Sequence, residues 1–252
     1  MSSASTASLA DLRQQIEGIE RLHERSRSVL PFHVAAIDGV LSGGGLPLGA
    51  LHEVAGGAQG AVDAAVPAAF AAGIVARTGG KVLWCHKEDD LFVPALARFG
   101  LKEDQVVLFQ SDDETDILDA MEAALKHGGP TAVVGELSGL TQLASQRLQL
   151  AAETTNTMAI AIRRWRRHVD ARDFGIQTFA FTRWRVTEID SDALPVRGVG
   201  RARWHLELMR TRAGRTADFE VEASDAKGFI HIPPPLADGS AKTGHAGFRA
   251  VS

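Results

Sequence analysis

The chain has 252 residues, 45% of them hydrophobic, and a formal net charge of -4. That length suits one medium domain with additions or two small ones, and the apolar fraction is ordinary for a soluble globular protein. The acidic balance excludes a molecule that is basic as a whole, so a nucleic-acid site has to be local; the single cysteine, Cys85, excludes an internal disulfide and speaks against a zinc site.

In chain order, LADLRQQIEGIERLHE (9–24) repeats Leu9, Leu12, Ile16, Ile19 and Leu22 at helical spacing. This predicts an amphipathic helix with a narrow apolar stripe, suited to folding back on the core or to assembly with another molecule through Leu12, Ile16 and Ile19. The N-terminus has no apolar signal region. The longest apolar segment, AAVPAAFAAGIVA, is too short to span a bilayer and is interrupted by Pro67, so the cytoplasm is the expected compartment and no membrane partner is expected. Residues 30–50 read as turn-rich, Leu51–Val54 as a short strand and 64–77 as a helix. Lys81–Cys85 is a continuous apolar run, as expected of a strand buried on both faces, and Gln105–Phe109 reads the same way. Between them, 90–99 is helical, with Pro94 in the first turn. SDDETDILDAMEAALKHGG is a helix with acids at its start and Lys126 and His127 at its end. Thr131–Val134, SQRLQLAAETTN and TMAIAI follow as strand, helix and strand, an alternation that predicts a parallel sheet with helical crossovers. After residue 175 the pattern turns to alternation, and ARWHLELMRTRAGRTADFEVEAS breaks at RAGR, predicting an antiparallel hairpin on the sheet edge. The last stretch, PPPLADGSAKTGHAGFRAVS, has the composition of a disordered tail. The expected division is a helix and linker (1–30), an α/β core (31–232) and a tail (233–252).

Two stretches carry chemistry. The strand, glycine loop and helix over 51–77 form the frame that aims backbone N–H groups at a phosphate. A working loop reads G-x-x-x-x-G-K-[ST], with the Lys on the phosphates and the hydroxyl on magnesium. Counted from Gly56, the second glycine falls on Ala61, the Lys on Val62 and the hydroxyl on Asp63. The degenerate loop comprises Gly56, Gly57, Gly60, Ala61, Val62 and Asp63, and shifting the count to Gly60 rescues nothing, because no Lys or Arg lies between Glu53 and Arg77. Pro67 has to sit in a first helical turn, which predicts a helix start near Ala64 with Asp63 as its N-cap and its carboxylate at the positive pole a phosphate would need. The second stretch, IRRWRRHVDARDF, gathers Arg163, Arg164, Arg166 and Arg167 around Trp165. Arginines on phosphates and a stacking Trp are the chemistry of a single-strand site; an acidic protein partner or a solvated basic turn are the other readings. TRWRV and ARWHLEL each set a Trp beside Arg, expected as strand residues covered by Arg stems. The histidines are scattered, with no metal-ligand spacing.

These segments, in this order, resemble the RecA/RadA/KaiC recombinase-like ATPase core from about Ile37 to the C-terminal hairpin, above all in LSGGGLPLGALHEVAG and TNTMAIAI. A narrower similarity is to the ImuA family, the RecA-like proteins of bacterial inducible-mutagenesis cassettes. It is carried by GGGLPLGALHEVAG, KVLWCHKEDDLFVPALARFGL, DAMEAALKHGGPTAVVGEL, SQRLQLAAETTN, TRWRV and ARWHLELMRTRAG. The resemblance implies an accessory role in SOS-induced, error-prone translesion synthesis. The partners it implies are the polymerase-like adaptor ImuB and a C-family polymerase, with RecA, single-stranded DNA and a second copy of the chain as further candidates. It places the catalytic Glu on Glu88, the Walker B acid on Gly135 with Glu136 beside it, and the polar switch on Arg163. One carboxylate of the machinery, Glu88, survives as a vestige. The reading is a scaffold without ATPase activity, catalytic residue, cofactor or metal; a nucleotide-dependent ATPase of the recombinase class and a standalone single-strand DNA binder are the alternatives.

Overall fold

The apolar runs of the sequence become neighbouring strands of one sheet. The computed structural model describes residues 27–57, 60–191 and 200–232; the helix expected over 9–24, with Leu12, Ile16 and Ile19, and the tail from 233 lie outside them. Strands β1 (Val29–Leu30) and β2 (Leu46–Pro47) pair antiparallel around the short helix α1 (Ala35–Asp38). Then follow β3 (Leu51–Gly56), α2 (Gly60–Asp63), α3 (Ala65–Ala76), β4 (Val82–His86), α4 (Val93–Leu96), β5 (Val106–Gln110), α5 (Glu114–His127), β6 (Ala132–Leu137), α6 (Gln142–Thr155), β7 (Met158–Arg163), β8 (Thr182–Ile189), β9 (Arg203–Thr211) and β10 (Ala217–Glu222). The main sheet has eight strands in the order β10-β9-β8-β3-β7-β6-β4-β5. From β8 to β5 the neighbours are parallel; β9 and β10 run antiparallel as the expected hairpin, turning at Gly214, whose φ of 76° favours glycine. The fold is α/β, mostly parallel, with antiparallel C-terminal strands.

Helix α3, AVPAAFAAGIVA, is apolar all round and is buried along nearly its whole length. It lies over one face of the sheet, where Phe70 meets Trp184 (centroids 6.0 Å apart) and Trp204 (6.1 Å). Trp184 and Trp204 are therefore core residues on the face opposite the neighbouring arginines, since side chains alternate along a strand. Gly73 permits close packing: a Cβ there would lie 2.3 Å from Ser224 Oγ. The other face is covered by α5 and α6, whose buried Ile117, Met121, Leu125 and Leu148 pack with Cys85 and Val133. Asp113 caps α5 by accepting from the Thr115 N–H (2.8 Å), and Thr141 caps α6 through the Ala144 N–H (3.1 Å). Burial pushes the Cys85 thiol up to about 12. Among the described residues no helix is long and apolar enough to cross a membrane.

Besides Trp184 and Trp204, which the core covers in place of Arg stems, and the helix expected over 90–99, whose α-helical part is only Val93–Leu96, two sequence expectations change. The strand expected over Gln105–Phe109 is not buried on both faces: among the described residues β5 is an edge strand paired only with β4, and Val107 and Leu108 are half exposed. An apolar run does not distinguish an edge from a centre. Helix α3 starts at Ala65, and its N-cap position is Ala64, in the left-handed region at φ 56°. Asp63 ends the preceding turn, α2, and is not the N-cap.

A buried relay secures β3 to the β1–β2 pair. Trp184 Nε1 donates to Thr182 Oγ1 (2.9 Å), Thr182 Oγ1 lies 2.8 Å from His52 Nδ1, and His52 Nε2 lies 3.0 Å from the Pro47 carbonyl. A carbonyl only accepts, so Nε2 carries the proton and Nδ1 accepts from the hydroxyl. Burial lowers the His52 pKa from 6.5 to about 4. The unfolded chain takes up a proton at this residue as pH falls through about 6.5, whereas the folded chain resists until about 4. Stability present above pH 6.5 is therefore lost across that window, by about 3 kcal/mol. Urea melts stepped from neutral pH down to about pH 4 should show this loss, and His52→Gln should flatten it relative to the parent; equal slopes would mean that His52 titrates normally.

Candidate functional site

The C-terminal ends of the parallel strands, where open α/β sheets bind ligands, surround a cleft of about 880 Å³. Val62, Lys87, Glu88, Glu114, Glu136, Ser138, Arg164 and Arg166 are among its lining residues. Three features distant in sequence meet here: the altered glycine loop, Glu88 and the arginine-rich turn. Gly56 closes β3, and Gly57 lies so close to β8 that a Cβ would fall 1.9 Å from Thr187 Oγ1. Beyond Gly60 the loop is wound into α2 and tied down by the arginine turn. The Trp165 N–H donates to the Ala61 carbonyl (3.0 Å), and Arg164 Nε donates to the Val62 carbonyl (3.0 Å).

The arginines do not form a patch of like charges. β7 runs through Arg163, so this side chain shares the inward face of Ala159 and Ala161 and is 1% exposed. Its Nη1 donates to Glu53 Oε2 (3.1 Å) and its Nη2 to the Ser138 carbonyl (2.8 Å). Arg164 turns the other way, into the cleft. It grips Asp90 with both Nη atoms (Nη1 to Oδ1, 2.8 Å), and Nη1 also reaches Glu136 Oε2 at 3.2 Å. The hydrogen bond to Arg164 holds the Asp90 carboxyl below its ordinary range, and the same bond, with Glu136 nearby, raises the Arg164 guanidinium above its own. Trp165, 4% exposed, packs among Ala55, Ala61 and Phe174, its ring 5.8 Å from Phe174 in an edge contact, so it offers no face for stacking a base. Arg167 pairs with Asp170 (3.0 Å). Arg166 is exposed and makes no ion pair among the described residues.

Two carboxylates matter that sequence reasoning missed or displaced. Glu53, in the middle of β3, is wholly buried. Besides Arg163 it accepts from Arg183 Nη2 on β8 (2.9 Å) and from the Thr178 hydroxyl. The one sequence signal was an acid inside an apolar strand. Glu136 is the second. A Cβ at Gly135 would lie 2.2 Å from Met121 Sδ, beneath α5, so position 135 faces away from the glycine loop. Glu136 faces the cleft, 5% exposed, and accepts from Trp84 Nε1 (3.0 Å) and from Arg164. The carboxylate at the end of β6 that the cleft sees is thus residue 136, one position beyond the expected one; a single-residue offset in a strand reverses the face. Glu114 occupies the Ser138 and Gly139 N–H groups (3.0 and 3.3 Å). Glu88 and Arg166 are exposed in the cleft, and Lys87 lies half-buried beside them. The cleft therefore holds an exposed acid, an exposed base and a half-buried base, with a buried acid already neutralised by Arg164.

No protein-family model matches the chain. Among curated proteins, it is similar to Protein ImuA of Caulobacter vibrioides (strain NA1000 / CB15N), 35% identical over 237 residues that cover 88% of this chain and 95% of that protein. Protein ImuA of Caulobacter vibrioides (strain ATCC 19089 / CIP 103742 / CB 15) matches with the same identity and coverage.

The arginines should separate in stability measurements. Arg163→Ala leaves Glu53 short of a buried cation and should cost about 3 kcal/mol or more in urea unfolding. Arg166→Ala should stay within about 0.5 kcal/mol of the parent. Equal losses for the two would contradict the buried ion pair.

Proposed function

The chain belongs to the ImuA family, and from that premise we propose that it is a non-catalytic, RecA-like scaffold in SOS-induced, error-prone translesion DNA synthesis. The cassette role and the partners, an ImuB-like adaptor and a C-family polymerase with RecA as a further contact, come from the family resemblance. The observation that carries the scaffold reading is Arg164. Its guanidinium lies between Asp90, Glu136 and the Val62 carbonyl, at the mouth of the glycine loop. A nucleotide-binding loop presents a Lys and a hydroxyl there, where this chain has Val62 and Asp63. An arriving triphosphate would gain no loop cation, and magnesium would compete with Arg164 for Glu136. On this reading the protein takes no nucleotide cofactor.

The surfaces left for partners are the bases at the cleft rim, exposed Arg166 and half-buried Lys87, and the apolar stripe that the sequence predicts over 9–24. With Arg163, Arg164 and Arg167 matched by carboxylates and Trp165 packed inside, a protein contact is favoured over a single-strand DNA site.

The competing reading, a nucleotide-dependent ATPase, draws its support from Glu88, which stands free in the cleft. Calorimetric titration with ATP and magnesium should give no binding in the micromolar range, and hydrolysis should stay at the blank. In cells, Glu88→Gln should leave damage-induced mutagenesis within about twofold of the parent. Micromolar ATP binding, or loss of mutagenesis in a stable Glu88→Gln protein, would favour the enzyme.

A further inference from the structure

We propose that residues 9–24 dock on the core of their own chain, laying the apolar stripe that the sequence predicts there along the outer side of α6. The segment lies outside the described residues; the surface that receives it lies within them.

Four large apolar side chains stand in water here: Leu143 (68% exposed) and Leu150 (56%) on α6, and Ile176 (59%) and Phe179 (41%) in the segment that leads into β8. The two rows adjoin, because the Phe179 N–H donates to Ser145 Oγ of α6 (3.1 Å). Beside them are two arginines with no ion pair among the described residues. Arg210 Nη1 donates to the Thr178 carbonyl (3.3 Å), and the Arg212 guanidinium lies over the Phe181 ring, 5.6 Å from its centroid. Exposed apolar side chains framed by unmatched arginines have the make-up of an interface.

The path of the chain identifies the occupant. Arg27 pairs with Glu153, in the last turn of α6, and lies over the same Phe181 ring at 5.2 Å. Residue 24 is thus three positions from this end of the surface. A helix over 9–24 that follows α6 points the same way as α6. At about 1.5 Å per residue it is about 24 Å long, against about 21 Å for α6. The spacing agrees as well: Leu12 and Ile19 are seven residues apart, as are Leu143 and Leu150, the repeat with which two parallel helices keep one seam in contact. Glu17, Glu20 and Glu24 recur at i, i+3 and i+7 on one flank of the stripe. In a right-handed helix pointing the same way as α6, that flank falls on the side of Phe179, where Arg210 and Arg212 lack carboxylates. A second copy carries the same stripe, but the three-residue tether at Arg27 gives the chain's own segment a far higher effective concentration. The docking holds whether or not the protein is a scaffold; if it is, a partner reaches the stripe by displacing it from α6.

The test is thiol labelling of the full chain. Leu150→Cys should react at least about tenfold faster when Leu12→Lys, Ile16→Lys and Ile19→Lys are added than without them. Ala123→Cys, exposed on α5, should react at the same rate in both backgrounds, while Cys85 stays buried in either. Protection of the Leu150→Cys thiol should be the same from about 1 to about 100 µM protein, as an intramolecular contact requires. The proposal is overturned if the three lysines leave the Leu150→Cys rate unchanged, or if they speed Ala123→Cys as much, which would mean that they loosen the whole fold. It also fails if protection grows with protein concentration, because the occupant is then a second copy.

Discussion

A carboxylate with no access to water has to be answered from within the protein, and Glu53 lies in the centre of the sheet. Arg163 comes to it from β7 and Arg183 from β8, the two neighbours of β3, while Thr178 adds a hydroxyl. Arg163 Nη2 also donates to the Ser138 carbonyl, and Arg183 Nη2 to the Ile176 carbonyl. Taking such charges out of water is expensive, and an incomplete set would cost several kcal/mol. The network therefore acts on register: sliding β7 or β8 by one residue would send the arginine to the wrong face and leave Glu53 unpaired. It also positions the cleft. Because Arg163 points inward, the next residue points outward, and this delivers Arg164 to Asp90 and Glu136.

The rest of the site follows from that placement. Arg164 and Trp165 hold the carbonyls of Val62 and Ala61, so the glycine loop is fastened to the turn after β7. A phosphate would use the N–H groups of such a loop, whereas the contacts here take its carbonyls, so they fix the position of the loop and leave its donors uninvolved. Trp84 and Arg164 together satisfy Glu136, and Glu114 fills the amides after β6.

The parallel sheet was legible because its strands are short apolar runs separated by amphipathic helices, and the hairpin was legible from its alternation and its RAGR turn. What remained hidden depended on long-range pairing. Arg163 reads as the first residue of a basic turn because its partner, Glu53, is 110 positions earlier in the chain. The faces of Gly135 and Glu136 require the frame of β6, which a run of small and apolar residues leaves open by one. The edge position of β5 depends on strand order, which local pattern does not contain. The left-handed Ala64 has no signal in Asp-Ala-Ala, since a residue without special backbone preference is held there by the packing of α2 and α3 around it.

Cys85 lies in β4, between β5 and β6, wholly buried, its thiol pushed up to about 12. In the closed protein the thiolate is on the order of one part in a hundred thousand at neutral pH. A thiol reagent reacts at a useful rate only with molecules whose sheet has parted, where the pKa returns to its ordinary range. The sole sulfhydryl of the chain is thus a built-in clock for sheet opening: its rate of modification counts excursions of the central strands, and every labelled molecule is one that has opened.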